Sequence, residues 1–266
     1  MAKKKKIAAE VIAQDVIAEG IMDLRLKTDL AEDANPGQFI GIYPKNKSTL
    51  LPRPISICGY DKNEGTLRIV YRIAGSGTAE FALYRPGNHV DILGILGNGF
   101  PTDKAQGKRV LIIGGGIGVP PLLGLAKELK EGLGENFAED ITMVMGYRNS
   151  ETFLADEFRN YGNLFIATED GSVGTKGNVI DACRENKIEA DVIFSCGPMP
   201  MLRGVAAYAK EISAKAYISL EERMACGVGA CLGCICKTKN VDEHSHVNNA
   251  RICTDGPVFD ADDLEL

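Results

Sequence analysis

Long hydrophobic runs are missing from this chain of 266 residues: no stretch approaches the roughly 18 consecutive apolar residues that a membrane-spanning helix needs. An excess of positive charge is missing as well. The 36 acidic residues outnumber the 30 basic ones, and a net charge of -6 gives no reason to expect nucleic acid or an anionic membrane surface as a partner. The lysines at 3–6 precede neither the apolar core nor the cleavage site of a signal peptide. We therefore expect a cytoplasmic protein whose basic N-terminal residues form a solvated, frayed tail before the first strand.

The cysteines are not distributed as in a secreted disulfide-bonded protein, where they would be spread through a small chain behind a signal peptide. Five of the eight lie within the 28 residues from 226 to 253. The other three, Cys58, Cys183 and Cys196, are scattered. Clustering of this kind indicates a metal centre in the C-terminal part of the chain.

Residues 1–103 form the first of three predicted domains. They contain short β-rich runs at 38–43, 55–60 and 66–73, separated by turns rich in glycine, proline and asparagine. Few helical periods occur in this part. We expect an antiparallel β-barrel domain here.

Residues 104–215, the second predicted domain, alternate between strand and helix patterns. The apolar run 110–113 is typical of a strand buried on both faces, and helical spacing follows it at 122–129. The unit repeats, with strands expected at 141–145, 164–168 and 192–195 and helices at 154–161, 178–184 and 200–210. The alternation predicts an α/β domain with a doubly wound parallel sheet. Residues 216–266 are too few for a large core, so we expect a small third domain that depends on a metal centre.

The most specific motif is the cysteine spacing in this last segment. Cys226, Cys231 and Cys234 have the C-x4-C-x2-C spacing of the plant-type [2Fe–2S] loop, and Cys253 follows at a distance as the candidate fourth ligand. Small residues between the cysteines would let backbone N–H groups turn toward the cluster sulfurs. A structural zinc site is the alternative, but such sites usually combine two C-x2-C pairs and this segment has one. Cys236 is left over, and we expect it on the strand that leaves the loop.

Two motifs in the first segment are suited to a flavin nucleotide. In Arg53-Pro54-Ile55-Ser56, an arginine fork can hold a phosphate, proline restricts the turn, and the serine can reach an isoalloxazine ring. Alone this motif is weak, because R-P-x-S in a strand can occur by chance. The stretch 69–78 adds an aromatic ring for stacking, a second arginine and a turn suited to a pyrophosphate, supplied by Tyr71, Arg72, Gly77 and Thr78.

A glycine run after the strand at 110–113 is the candidate dinucleotide site. It stands where helix N-terminal amides meet a pyrophosphate, and its members are Gly114, Gly115, Gly116 and Gly118. The run departs from G-x-G-x-x-G because Val119 occupies a glycine position, and a plain glycine turn is the alternative. Gly197 and Pro198 end a later strand of the same sheet, where such sheets bind ligands. Cys196, beside them, is the candidate catalytic residue, with a buried structural cysteine as the alternative.

Nucleotide choice is predicted from the end of the strand at 164–168. Glu169 and Asp170 follow it, and carboxylates near an adenosine ribose accept hydrogen bonds from a 2′-OH but repel a 2′-phosphate. We therefore expect NADH to be preferred over NADPH. Arg148, after the neighbouring strand, is the residue that could oppose this preference.

Taken in this order, the motifs resemble those of the ferredoxin-reductase superfamily, and within it the electron-transfer subunits of class 1B dihydroorotate dehydrogenases. The resemblance covers essentially the whole chain and is most specific at 219–238 and 253–264. It implies a barrel that binds FAD, a domain that binds NAD and a C-terminal [2Fe–2S] domain. It implies cluster ligation by the four cysteines named above and FAD contacts at Arg53, Pro54, Ile55, Ser56, Val70, Tyr71, Arg72, Gly77 and Thr78.

The same resemblance implies a partner and a pathway. The partner is an FMN-containing dihydroorotate dehydrogenase catalytic subunit, in a heterotetramer with two copies of each chain. Electrons would pass between dihydroorotate and NAD in pyrimidine biosynthesis. The alternatives are a flavin and iron–sulfur subunit of a sulfide dehydrogenase or transhydrogenase, and a redox sensor that binds nucleotide without turnover.

Overall fold

The structure, a computed structural model, describes residues 4–46, 48–132, 137–241 and 246–266. Six antiparallel strands close into a barrel in the order β1-β2-β5-β4-β3-β6. The strands are β1 (Lys5–Ala18), β2 (Ile21–Lys27), β3 (Phe39–Ile42), β4 (Arg53–Asp61), β5 (Thr66–Arg72) and β6 (His89–Leu96), with a short helix α1 (Ser76–Phe81) between the last two. The predicted antiparallel barrel is confirmed.

The N-terminal lysine run differs from its prediction as a frayed tail. Lys5 and Lys6 are the first residues of β1 and pair with β6. The ammonium of Lys6 lies 3.1 Å from a carboxylate oxygen of Asp91 and 4.2 Å from the ring centroid of Tyr43. The barrel extends this far because a strand can leave its outward-facing lysines in water while the backbone completes the ladder.

The second unit is a seven-stranded sheet with helices on both faces. The remaining strands are β7 (Arg109–Gly115), β8 (Asp140–Tyr147), β9 (Asn163–Thr168), β10 (Thr175–Lys176), β11 (Val192–Cys196), β12 (Lys215–Ser219), β13 (Ile235–Lys237), β14 (Asn249–Arg251) and β15 (Val258–Asp260). The helices are α2 (Pro120–Lys127), α3 (Ala155–Phe158), α4 (Val179–Glu185) and α5 (Met199–Glu211). The sheet order is β10-β9-β8-β7-β11-β12-β15, and every pair is parallel except β12 with β15.

Strand β7 explains the continuous apolar run in the sequence. Val110 and Ile112 pack with α2 and α3 on one face, whereas Leu111 and Ile113 pack with α4 and α5 on the other. Since alternate side chains of a strand point to opposite faces, a central strand covered on both sides needs apolar residues at every position.

The sheet does not end at the domain limit that the sequence predicts between residues 215 and 216. Strand β12 covers this limit, and β15, near the end of the chain, forms the edge of the same sheet. Between them, β13 and β14 make a separate two-stranded hairpin beside the cysteine loop. The third segment is therefore built onto the nucleotide-domain sheet.

The barrel and the sheet share an apolar core, and an ion-pair network centred on Arg68 joins them. Gly124 of α2 packs directly on the backbone of Cys58 in β4. The guanidinium of Arg68 in β5 lies 2.7 Å from Asp23 within the barrel and 2.5 Å from Glu157 of α3. Because these contacts join the two units, the cleft between them has a defined shape. In the described ranges, no helix is both long and apolar enough to cross a membrane.

Candidate flavin, nucleotide and cluster sites

The barrel opens where the first flavin motif lies. Residues 53–56 of β4 pair with β3, and residues 70–72 of β5 pair with β2. Strands β4 and β5 pair with each other only at 57–61 and 66–69, so in the described chain the ladder between 53–56 and 70–72 is open. Both predicted motifs therefore line one notch, in which backbone groups face outward and can bind a ligand.

The side of this notch is closed by Arg53 and the start of α1. A Cβ atom placed on Gly77 would lie 2.7 Å from Nε of Arg53, so only glycine permits the guanidinium to lie across this turn. Arg53 also donates a hydrogen bond to the carbonyl oxygen of Leu51, at 2.6 Å. An arginine fixed over a glycine turn is suited to a phosphate or pyrophosphate group.

Thr78 shapes the same turn. Its hydroxyl oxygen accepts hydrogen bonds from the backbone N–H groups of Ala74 and Gly75, at 2.9 and 3.1 Å. The side chain is buried, and its role here is to hold the turn that carries Gly77. Its own backbone remains the part that could face a ligand.

Tyr71 is a correction to the stacking role expected from the sequence. Its ring lies in the barrel core, edge-on to Phe81, and its hydroxyl donates a 3.3 Å hydrogen bond to Gln14. In β5 the alternation places Tyr71 inward, Val70 in the core shared with the sheet, and Arg72 outward. Stacking on a flavin is therefore not open to the Tyr71 ring, although its backbone borders the notch.

A cleft of about 1060 Å³ separates the barrel from the carboxyl ends of the sheet strands. Of the predicted nucleotide residues it is lined by Gly115, Gly116, Gly118, Glu169 and Pro198. Arg72 enters it from the barrel, with its guanidinium about 4.0 Å from the point a Cβ of Gly116 would occupy. Arg72 therefore faces the cleft, although it belongs to the strand that borders the notch. A cation beside the strand-to-helix turn is suited to a dinucleotide pyrophosphate.

Close packing explains the glycines of this turn. A Cβ on Gly118 would lie 2.5 Å from the carbonyl oxygen of Cys196. Gly115 and Gly197 both lie against the sulfur end of Met201. The run thus joins the ends of β7 and β11, and its glycines permit this close approach.

The two carboxylates of the predicted acidic pair, Glu169 and Asp170, lie in different surroundings. Glu169 lines the cleft together with Arg148 and Arg184. The carboxylate of Asp170 instead accepts hydrogen bonds from the backbone and hydroxyl of Ser172, which lower its pKa, and it is not among the cleft residues in the described ranges. Of the two predicted carboxylates, Glu169 lines the cleft and Asp170 does not.

Cys196, the candidate catalytic residue, is fully buried between β7 and β12. Burial raises the pKa of its thiol, which keeps the thiol protonated and unreactive. This placement agrees with the alternative, a structural cysteine.

Glu221 was missed by sequence reasoning. It follows β12 and lines the cleft near the cysteine segment. Its side chain retains water contact, yet desolvation by the surrounding protein raises the pKa of the carboxyl group. The signal in the sequence was a carboxylate immediately after an apolar strand of the sheet, in the position where such sheets place ligand-binding residues.

The four candidate cluster cysteines form two close pairs. The thiol of Cys226 interacts electrostatically with that of Cys231, and the thiol of Cys253 with that of Cys234. The backbone N–H of Ile252 also donates to the carbonyl oxygen of Cys234 at 2.9 Å, which brings the Cys253 loop beside Cys234. In the described chain, no group of three or more Cys, His, Asp or Glu side chains converges as a single metal site. Two pairs fit a [2Fe–2S] cluster, whose two irons each take two protein ligands, better than they fit one tetrahedral zinc ion.

The backbone of the loop is turned toward its sulfurs. The N–H of Val228 donates to Sγ of Cys226, at 3.4 Å. Desolvation opposes ionisation of this thiol, but the backbone N–H groups of Val228, Cys231 and Ala230 outweigh it and lower the pKa of Cys226 to about 6. Donors of this kind stabilise the negative charge of thiolates and sulfides. Cys236 lies on β13, as predicted, and contacts the carbonyl of Ala250 at 3.6 Å.

Two family models match the chain. Residues 221–265 match the iron-sulfur cluster binding domain of dihydroorotate dehydrogenase B, and residues 112–207 match an oxidoreductase NAD-binding domain. Among curated proteins, the chain is 43% identical over 261 residues to the dihydroorotate dehydrogenase B (NAD(+)) electron transfer subunit of Geobacillus sp., covering 96% of this chain and 97% of that protein. It is 44% identical over 259 residues to the subunit of the same name from Listeria monocytogenes serotype 4b, covering 97% and 98%.

Solved structures give the same fold. The structure of an NADH-dependent reduced ferredoxin-NADP oxidoreductase, studied for flavin-based electron bifurcation, matches with a TM-score of 0.84 and 28% identity, covering 97% of this chain and 89% of that one. A ferredoxin NADP+ reductase from Neisseria gonorrhoeae with bound FAD and NADP matches with a TM-score of 0.66 over 82% of this chain and 94% of that one. At 14% identity, the second match shows the fold alone.

Proposed function

This chain belongs to the family of dihydroorotate dehydrogenase B (NAD(+)) electron transfer subunits, and we propose that it passes electrons between NAD(H) and an FMN-containing dihydroorotate dehydrogenase subunit in pyrimidine biosynthesis. One observation carries the proposal: a notch for a flavin, a cleft for a nucleotide and two cysteine pairs for a cluster are built on adjoining elements. When bound, FAD supplies hydride exchange with nicotinamide, and the [2Fe–2S] cluster supplies one-electron transfer.

In this proposal the notch between β4 and β5 holds FAD. Arg53 and Arg72 supply positive charge for the phosphates, and the turn at Gly77 and Thr78 supplies backbone donors. Pro54, Ile55 and Ser56 line the opened edge of β4, where they are half-buried and accessible to a ring system. Val70 and Tyr71 contribute through their backbone, since both side chains are buried.

The cleft holds NAD with its pyrophosphate at the glycine turn. Gly115, Gly116 and Gly118 present this turn, while Gly114 and Gly197 permit the close packing behind it. Glu169 accepts hydrogen bonds from the adenosine ribose, and Asp170 stabilises the turn that positions Glu169. Pro198 borders the cleft at the end of β11, where the nicotinamide would approach the flavin.

The cysteine pairs hold the cluster, with Cys226 and Cys231 on one iron and Cys234 and Cys253 on the other. Val228, Leu232 and Ile235 expose apolar side chains around this loop. Exposed apolar residues beside a redox centre suit a docking partner, and we assign this face to the FMN-containing subunit in a heterotetramer with two copies of each chain. The cytoplasm is the proposed compartment, because none of the eight cysteines in the described ranges forms a disulfide and reducing conditions maintain that state.

A reductase subunit with a different partner is the second candidate. The likeness to an NADH-dependent reduced ferredoxin-NADP oxidoreductase favours it, because that protein shares the fold over nearly the whole chain. The higher identity to dihydroorotate dehydrogenase B subunits favours the first candidate.

Reconstitution with purified subunits separates these functions. The isolated chain, loaded with FAD and the cluster, should reduce artificial acceptors with NADH but should not reduce NAD with dihydroorotate. Adding the FMN-containing subunit should produce dihydroorotate-dependent reduction of NAD. Turnover of dihydroorotate by the isolated chain, or failure of the combined subunits, would overturn the proposal. If NADH does not bleach the absorption of bound FAD, the result would instead favour a redox sensor that binds nucleotide without turnover.

A further inference from the structure

The end of β6 touches both loops that carry candidate cluster ligands. Leu96 packs against Gly227, with Cδ1 3.2 Å from the position a Cβ would take there, and Gly227 follows Cys226. Gly97 packs more closely still against Pro257, in the loop that follows Cys253, because a Cβ on Gly97 would lie 2.5 Å from Cδ of Pro257. Three consecutive residues of the barrel, 96–98, therefore form a platform for the first and last cysteines of the site.

Asn98 makes the polar part of this contact. Its backbone N–H donates to the carbonyl oxygen of Gly256 at 2.6 Å. Its side-chain amide donates to the carbonyl oxygens of Thr254 and Asp255, both at 3.1 Å. One residue thus binds three consecutive carbonyl groups directly after Cys253. A side-chain amide has two N–H donors, whereas a carboxylate of the same size has none.

The loop that Asn98 binds is itself tightly turned. The N–H groups of Thr254, Asp255 and Gly256 all donate to the carbonyl oxygen of Arg251, at 3.1, 2.7 and 3.3 Å. The carboxylate of Asp255 accepts from the backbone and guanidinium of Arg251. Because the loop is held internally, a contact that fixes its carbonyls also fixes the position of Cys253.

On its other side the platform reaches the flavin notch. Leu96 pairs with Phe39 of β3, and Phe39 pairs in turn with Ser56 of β4. The side chain of Gln38 donates a 2.8 Å hydrogen bond to the carbonyl oxygen of Gly97. The notch and the cysteine loops are therefore connected through two rungs of the barrel ladder.

We propose that Asn98 is a positioning residue for electron transfer, which holds the Cys253 loop at a set distance from the flavin notch. The inference rests on the proposed function and adds a residue to it. Asn98 touches no reacting atom. Its two side-chain hydrogen bonds hold the carbonyl groups of Thr254 and Asp255 against the barrel. Their loss loosens this loop, whereas the backbone hydrogen bond to Gly256 and the packing of Leu96 and Gly97 keep it folded.

Two variants of the full, cofactor-loaded chain test this role. Asn98→Asp keeps the size of the side chain but removes both donors and places a carboxylate against two carbonyl oxygens. Asn98→Ala removes the donors without adding charge. The matched control is Asn88→Asp, just before the other end of β6, where the side-chain oxygen accepts from the backbone N–H of Arg85 and an aspartate can keep that bond.

Three measurements are compared under anaerobic conditions: FAD bleaching by NADH, the appearance of the reduced-cluster EPR signal by rapid freezing, and hydrogen exchange at 254–256. FAD bleaching and cluster content per chain should equal those of the wild type. Appearance of the cluster signal should slow by at least fivefold. Exchange at 254–256 should accelerate by roughly tenfold or more, as loss of two neutral hydrogen bonds predicts.

Unchanged cluster reduction in both Asn98 variants would overturn the inference. Equal slowing of FAD bleaching and cluster reduction would overturn it too, because the damage would then be general. So would loss of the cluster from both variants, which would make Asn98 an assembly residue. Failure of the proposed function is separate, since it would appear in the wild-type chain as absent bleaching or an absent cluster.

Discussion

Replacing Arg68 by methionine should destabilise the protein through the charge that it leaves behind in the barrel. The side chain of Asp23 is only 6% exposed and that of Arg68 only 17%, whereas that of Glu157 is 45% exposed. Arg68→Met leaves Asp23 buried without its cation, and breaking a buried pair in this way costs about 3–5 kcal/mol. Glu157→Gln removes only the exposed partner and should cost less than about 1 kcal/mol after solvent screening.

The assay is urea unfolding followed by circular dichroism, on variants with equal FAD and cluster content. Arg68→Met combined with Asp23→Asn also removes the unpaired charge of Asp23. The double variant should therefore recover a large part of the lost free energy of unfolding. If Arg68→Met is no more destabilising than Glu157→Gln, or if the double variant recovers nothing, the reasoning from burial is wrong.

The ion pair between Arg68 and Glu157 predicts that the stability of the fold depends on pH. The hydrogen bond and charge of Arg68 lower the pKa of Glu157 in the folded state. The stabilisation by Glu157 is therefore complete above its unfolded-state pKa, about 4.3, and is lost as the pH falls through the lower folded-state value. The stability difference between wild type and Glu157→Gln should accordingly shrink below about pH 4. A difference that stays constant into strong acid would contradict this linkage.

Two further predictions concern the sites. Replacing any one of the four candidate ligands by serine should remove the [2Fe–2S] absorption while FAD remains bound. Cys236→Ser should leave this absorption unchanged. Retention of a normal cluster after Cys253→Ser, with its loss after Cys236→Ser, would refute the ligand assignment. NADH should be preferred over NADPH. Glu169→Gln should lower the ratio of kcat/KM for NADH to kcat/KM for NADPH by roughly tenfold, because it removes one screened repulsion between like charges worth ~1.4 kcal/mol. Asp170→Asn is the matched control and should leave the ratio unchanged, because Asp170 lies outside the cleft and the amide oxygen of asparagine can accept both hydrogen bonds from Ser172, which preserves the turn. Equal effects of the two variants would show that the carboxylate of Glu169 does not set the nucleotide preference.

Local patterns determined much of this protein without any coordinates. The apolar run at 110–113 is typical of a strand covered on both faces, and β7 is such a strand. The cysteine spacing indicated a cluster loop because ligand spacing is itself a local property of the chain. The turns of the first segment marked its strands because glycine and proline act on the backbone where they stand.

Tertiary structure decided what depends on pairing between distant residues. Strand β15 joins the sheet beside β12 through a register that no local pattern encodes. The Tyr71 ring points into the barrel because the barrel closes over that face of β5. Glu169 and Asp170 lie in different surroundings because Asp170 accepts a hydrogen bond from Ser172 in the turn that follows. Asn98 shows the same limit most clearly. Its partners lie more than 150 residues away along the chain, and only the packing of β6 against the last loop makes an ordinary asparagine part of the site.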